Sequence, residues 1–307
     1  MELKEVVEKF REDPKRMRMG KYIRAKRYKC DPEDIVKARR IIREEINKRK
    51  INTPKILIFD IETSPMKAYV WKLWKEDINL PQIIDDWFVI AWSAKWLYSN
   101  EVMGEVLTSE EVKAENDFRI VKDLWELFNK ADIIVAHNGD KFDIPKMNAR
   151  FVINNLPPTK PFFSVDTCRI ARKQFGFSSN KLEALATYYG FKHKLDTNFD
   201  LWKDCLEGDK EALKYMLMYN KQDVKLLEEV YIKLRPWIKG HPNCGNFIES
   251  KVPVCCNCCS EDLELLEGEY YYTSAYKYPL YRCKKCGAIS RGRYKVGDSA
   301  KLLSNCR

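Results

Sequence analysis

Lys55-Ile56-Leu57-Ile58-Phe59-Asp60-Ile61-Glu62-Thr63 joins an apolar run to a pair of acids. Its continuous apolar run suits a strand buried on both faces. Two acids then follow at positions i and i+2, and Thr63-Ser64-Pro65 leads the chain out. Alternate strand residues share a face, so Asp60 and Glu62 project together from the exit of a buried strand. Carboxylates in such a place are costly to ionise unless a cation neutralises them. An Asp-x-Glu pair by itself also marks many ordinary strand ends, so its meaning rests on what the rest of the chain brings to it.

Two later segments bring more. Ile133–Ala136 reads as another buried strand, followed by His137-Asn138-Gly139-Asp140-Lys141-Phe142-Asp143 and a helix from Ile144. Asp143 falls near that helix's N-terminus, where a simple cap is the plain alternative. A long helix is predicted from about Lys210 to Arg235, with Asp209 as its cap and Pro236 as its stop. Tyr219 and Asp223 are four apart on it and share a face. Trp87–Trp92, Glu101–Leu107 and Phe162–Val165 read as strands. Phe118–Phe128 and Lys181–Tyr189 read as helices. Early strands followed by strand–helix units predict an α/β fold: a mixed sheet with flanking helices.

In this order the segments resemble the DEDD superfamily of 3′→5′ exonucleases, which includes polymerase proofreading domains. The resemblance covers about residues 54–236. Asp60-Ile61-Glu62 meets the first motif, Asn138 with Phe142-Asp143 the second, and Tyr219 with Asp223 the third. The sister subgroup has His five positions before the last Asp; here that position is Met218, so the tyrosine subgroup fits. The second segment is also similar to family B polymerase exonuclease domains and stand-alone phage and bacterial nucleases. The resemblance implies a ribonuclease H-like fold and a two-metal-ion hydrolysis. Asp60, Glu62, Asp143 and Asp223 would hold two Mg²⁺ or Mn²⁺, and Tyr219 would position the attacking water. Asn138, Thr63 and Ser64 would contact substrate. DNA is the expected substrate, with an exoribonuclease as an alternative, since nothing in the sequence reads a 2′-hydroxyl unambiguously; a non-catalytic nucleic-acid-binding regulator is the other alternative, against which the four intact carboxylates weigh. No polymerase domain accompanies these segments. The expected partner is nucleic acid, single-stranded or 3′-end DNA first, with replication or repair proteins as candidate protein partners.

The net charge is +10 and unevenly spread: residues 1–50 hold 18 Lys+Arg against 10 Asp+Glu. Such a block attracts polyanions, although a solvated helix surface has the same composition. Lys21–Tyr28 suits a short helix. Asp31 suits the cap of a second, with Pro32 at its first position and Ile35, Ala38, Ile42 and Ile46 at helical spacing. The pair resembles a helix-turn-helix. No apolar run is long enough to span a bilayer. The charged start MELKEVVEKFRED lacks the features of a secretory signal, which points to the cytoplasm.

Eleven cysteines in a reducing compartment suggest metal rather than disulfides. Cys255-x-x-Cys258 and Cys283-x-x-Cys286-Gly287 suit one tetrahedral, structural Zn²⁺. Cys256 and Cys259 have the same spacing. Ser260 favours the first register, because a zinc-ribbon knuckle often has Ser there. An extended hairpin around Glu269–Tyr278 would absorb the long gap between the pairs. The resulting organisation is a basic helical segment at 1–50, an exonuclease domain at 51–240 and a zinc-ribbon-like module at 253–307. Three further groups have readings of their own. Asp140 rivals Asp143, and Asp166 follows a strand that leads toward the site. His137, His193 and His241 lack metal-like spacing and read as structural. Trp71, Trp74, Trp87, Trp92 and Trp96 read mainly as core, with base stacking as the alternative.

Overall fold

Ile56 to Phe59 and Ile61 are buried in a central strand, β1 (Ile56–Thr63), as the apolar run predicts. The structure is a computed structural model describing residues 2–12, 21–51, 53–191, 195, 197–250 and 252–297. His193, the end of the cysteine module at 298–307 and the side chain of Ile46 lie outside the described residues. The chain divides into two units: residues 1–53 with 246–251, and residues 54–245 with 252–307.

The first unit is helical. It contains α1 (Leu3–Glu12), α2 (Lys21–Tyr28) and α3 (Pro32–Ile51). Val6, Val7 and Phe10 of α1 pack with Ala25, Ile35, Ala38 and Ile42 into a small core. The Asp31 side chain accepts the Glu33 N–H at 2.7 Å, as a cap ahead of Pro32 should.

In the second unit, β1 is followed by a short ladder of β2 (Lys67–Ala68) with β3 (Ile83–Asp85). Next come β4 (Val89–Trp96), β5 (Met103–Val106), α4 (Ser109–Lys113) and α5 (Phe118–Lys130). The strand–helix units follow: β6 (Ile133–Ala136) with α6 (Asp143–Ile153), and β7 (Phe163–Asp166) with α7 (Thr167–Gln174). Helices α8 (Leu182–Tyr188), α9 (Phe199–Leu206) and α10 (Lys210–Leu234) close the series. The main sheet runs β5-β4-β1-β6-β7. β4 and β5 are antiparallel neighbours on one side of β1, and β6 and β7 continue parallel to β1 on the other.

The alternation of β1 sorts its residues between two faces. Phe59 meets Phe128 of α5 edge-on at 4.9 Å, and Phe128 meets Phe151 of α6 at 5.7 Å. Asp60 must then face the other side, and there the Asn220 amide of α10 donates to it at 2.7 Å. Helix α10 is fixed against that face by an ion pair. Lys95 of β4 pairs with Glu228 of α10, both nearly buried, and the Tyr98 N–H donates to Glu228 at 2.8 Å.

The strand expected at Trp87–Trp92 starts only at Val89 and runs on to Trp96, because Ser93 and Lys95 keep pairing with β1 despite their polarity. Trp92 is buried with its indole N–H on the Ile120 carbonyl, and Trp87 and Trp96 pack partly against the core. Trp71 and Trp74 are exposed.

The cysteine module is an antiparallel sheet in the order β10-β9-β8, from β8 (Leu263–Tyr272), β9 (Lys277–Cys283) and β10 (Ile289–Arg291). Its long hairpin spans the gap between the cysteine pairs. Asn257 donates to the Arg235 carbonyl at 2.8 Å, and the Arg235 guanidinium donates to the Asn257 carbonyl. These bonds fasten the module to the end of α10.

Replacing Glu228 by Ala leaves Lys95 charged and unpaired in a nearly dry place. Urea unfolding should show a loss of about 3–5 kcal/mol. A loss below about 1 kcal/mol, the level of a surface pair, would mean that this ion pair does not hold α10.

Candidate active site

Three carboxylates from two distant segments share one small space. Asp60, Glu62 and Asp223 each offer an oxygen, and these oxygens lie within 4.8 Å of one another. Asp60 and Glu62 arrive together through the two-residue period of β1, and Asp223 arrives from α10. Asp143 borders the group. Rather than serving only as a helix cap, its carboxylate reaches β1 and accepts the Ile61 N–H at 3.3 Å, between the other two acids. Its charge acts on both of them.

The electrostatics follow from burial and like charge. Burial, then the charges of Asp143, Glu62 and Asp223, hold the Asp60 carboxyl well above its ordinary range. Burial and the charges of Asp223 and Asp143 push Glu62 up to about 8. Burial pushes Asp143 up to about 7 against the opposing pull of backbone N–H groups. Burial pushes Asp223 up to about 6, opposed by a hydrogen bond from Tyr219. Tyr219 is raised by burial and by Asp223 beside it, so its phenol keeps its proton. Among the described residues, the group that eases Asp60 is a neutral amide, Asn220, whose other amide atom is buried without a partner. Oxygen donors crowded in this way suit a hard divalent cation such as Mg²⁺ or Mn²⁺.

The loop carrying the second motif is built to a fixed shape. Asn138 has a left-handed backbone, with φ of +68°. Gly139 is required by packing: a Cβ there would meet the Ala136 Cβ at 2.3 Å and come within 3.7 Å of Asp143. Asp166 holds the loop from the neighbouring strand. Its carboxylate accepts the N–H groups of Asn138 and Arg169 at 3.0 Å and of Asp140 at 3.3 Å. Asp140 is engaged elsewhere, with Ser164 and with Arg169 at 3.1 Å. His137 bridges Thr167 and the Asn180 carbonyl, each at 2.9 Å, and His241 meets the Tyr231 hydroxyl at 2.8 Å. Both are tied into the fold. Thr63 is half-buried at the strand exit. The Ser64 hydroxyl is buried and accepts the Phe88 N–H at 2.8 Å.

Two neighbours of the carboxylates escaped the sequence reading. Asn220 was within reach, since it sits three residues before Asp223 on the same helix face. Glu183 of α8, whose charge also acts on Asp223, belongs to no motif.

In the cysteine module the sulfurs of Cys255, Cys258, Cys283 and Cys286 lie within 4.8 Å of one another. The Cys255–Cys286 and Cys258–Cys283 separations are both 3.6 Å. Cys256 faces Ser290 at 3.0 Å, and Cys259 turns to Cys244. The four converging thiols fit a tetrahedral Zn²⁺.

A family model described as the RNase_H superfamily matches residues 97–235. That range includes Asp143, Tyr219 and Asp223 and begins after β1 and β4. No curated protein matches the chain. Among solved structures, the chain is similar to the family B DNA polymerase of the hyperthermophilic archaeon Pyrobaculum calidifontis, with 16% identity and a TM-score of 0.43. The match covers 60% of this chain and spans a quarter of the polymerase's length. The family match supports a nuclease-type function. Together with the strand order and the flanking helices, it shows that the main domain has a ribonuclease H-like fold.

Proposed function

We propose that the chain is a metal-dependent 3′→5′ exonuclease that hydrolyses phosphodiester bonds at nucleic-acid 3′ ends, with single-stranded DNA as its substrate. The observation that carries this reading is the carboxylate group at the exit of β1. Burial and the charges of its own members act against ionisation of Asp60 and Glu62, and the group that eases Asp60 is the neutral Asn220 amide.

Asp60, Glu62, Asp143 and Asp223 would hold the ions. Two divalent ions held there would supply positive charge against the negative charge that builds on the attacking and leaving oxygens. The Asn220 amide fixes one oxygen of Asp60 and so sets the direction of the other. Tyr219 keeps its proton and donates it to Asp223, so its oxygen would accept a hydrogen bond from the attacking water and orient it without acting as its base. Asn138, on a loop clamped by Asp166, and Thr63, at the strand exit, would contact the terminal nucleotide. Ser64 would support Thr63 through its bonds to Phe88. Water adds to phosphorus, the bond to the 3′ oxygen breaks, and a nucleoside 5′-monophosphate leaves. The four-cysteine module would carry one structural Zn²⁺, which would supply folding energy that its small core lacks. The basic helical unit would add phosphate contacts. Replication or repair proteins in the cytoplasm would supply its substrates.

With Mg²⁺ or Mn²⁺, a 5′-labelled single-stranded DNA should be shortened stepwise, while a 3′-labelled one releases its label as mononucleotide at once. Asp60→Ala and Asp223→Ala should each slow this on the order of a thousandfold with the fold retained. Full activity in both variants would refute the site, and label release from the 5′ end would refute the polarity. Purified protein should carry one equivalent of zinc, lost in Cys283→Ser/Cys286→Ser. Metal analysis finding no zinc in the unsubstituted chain would remove the ribbon.

A further inference from the structure

We propose that the loop between β2 and β3 is a platform on which unpaired bases of the trimmed strand stack; this extends the exonuclease reading and rests on it. β1 pairs with β4 up to Thr63, one residue past Glu62, and the β2–β3 ladder follows directly. The loop therefore rises from the end of the sheet that carries the carboxylates.

Its construction reverses the usual division of polar and apolar groups. The polar side chains work on the inside. Glu76 accepts the N–H of Trp71 at 3.0 Å and of Lys72 at 2.8 Å. Gln82 donates to the Tyr69 carbonyl at 3.0 Å and to Glu76 at 3.2 Å, and accepts the Asn79 N–H at 3.0 Å. Tyr69 and Gln82 also pair through their backbones at 2.9 Å. The loop is thus tied into one shape by its own polar groups, and its large apolar side chains are turned outward. Trp71 is 94% exposed and Trp74 81%, with Tyr69 and Leu73 beside them.

Contiguous exposed apolar groups on a braced loop mark an interaction surface. The sequence of the tip identifies the partner. Tyr69-Val70-Trp71-Lys72-Leu73-Trp74-Lys75 interleaves aromatic rings with two exposed lysines and contains no acid. Rings that accept any base face and cations that meet phosphates are the two needs of single-strand binding without sequence preference. A purely apolar protein groove would match the rings and leave the ammonium groups without a purpose. With the 3′ end at the carboxylates, the bases upstream of it would lie on Trp71 and Trp74.

The test uses the full chain and its Trp71→Ala/Trp74→Ala variant, whose replaced side chains are too exposed to be needed for folding. Affinity for a labelled thymidine oligonucleotide is measured without added magnesium or manganese. Hydrolysis of the p-nitrophenyl ester of thymidine 5′-monophosphate is measured with manganese, because that substrate has a single base and reaches only the carboxylates. The variant should bind the oligonucleotide about tenfold or more weakly and hydrolyse the ester at the unsubstituted rate. Trp71→Phe/Trp74→Phe should restore most of the affinity. Unchanged oligonucleotide affinity in the Ala variant would overturn the platform, as would an equal loss of affinity for blunt duplex. If the unsubstituted chain hydrolyses neither ester nor strand, the hydrolytic reading fails. A weaker-binding variant would still uphold the platform.

Discussion

Mutual repulsion among crowded, partly buried carboxylates is the constraint around which the main domain is arranged. Asp60, Glu62 and Asp223 crowd one space, and Asp143 adds its charge from the edge. Burial raises the cost of ionising each of them, and every neighbour that ionises raises it further. A fold holds such a group only if other contacts fix the elements that carry it. Here the sheet ladder fixes β1, and Lys95 with Glu228 fixes α10. Asp166 and Gly139 fix the loop that delivers Asp143. The rigid parts surround the place where charge is concentrated, and this is what a preformed cation site requires.

Much of this was legible in the sequence because short-range rules govern it. The two-residue period of a strand places Asp60 beside Glu62, and the four-residue spacing of a helix places Tyr219 beside Asp223. The apolar run at 55–61 identifies the central strand, and the order of later segments gives the mixed sheet. The convergence of these segments is a different matter. Periodicity says which way a side chain points, not what it meets; in the sequence only the family resemblance implies their meeting, and in the fold the packing of α10 against β1 brings Asp223 to Asp60 and Glu62.

What escaped the sequence did so for identifiable reasons. Ser93 and Lys95 break the apolar pattern of β4, so its true length was hidden; backbone pairing with β1 extends it regardless. The cysteine register was ambiguous because 255/258 and 256/259 have identical spacing. Only the backbone at the knuckle shows which sulfurs face Cys283 and Cys286. The tryptophans look alike in composition, yet Trp92 is sealed in the core while Trp71 and Trp74 stand in solvent. Their fates differ because Trp92 lies on a strand with a core behind it. Trp71 and Trp74 lie on a loop braced by Glu76 and Gln82.

The repulsion itself can be measured. The folded-state pKa values of Asp60, Glu62, Asp143 and Asp223 are raised, so the folded chain binds more protons than the unfolded one at intermediate pH. Without divalent cation, stability from these groups is full below the ordinary carboxyl range of about 4 and is lost as pH rises from there through the folded values of about 6 to about 8. The most direct test is the melting temperature of the purified chain near pH 8, with and without excess Mg²⁺. A clear rise is expected on adding Mg²⁺, a smaller rise in mild acid, and none for Asp60→Asn/Asp223→Asn, which should already melt above the cation-free unsubstituted chain. Identical melting with and without Mg²⁺, and an Asn variant no more stable than the original, would contradict the repulsion.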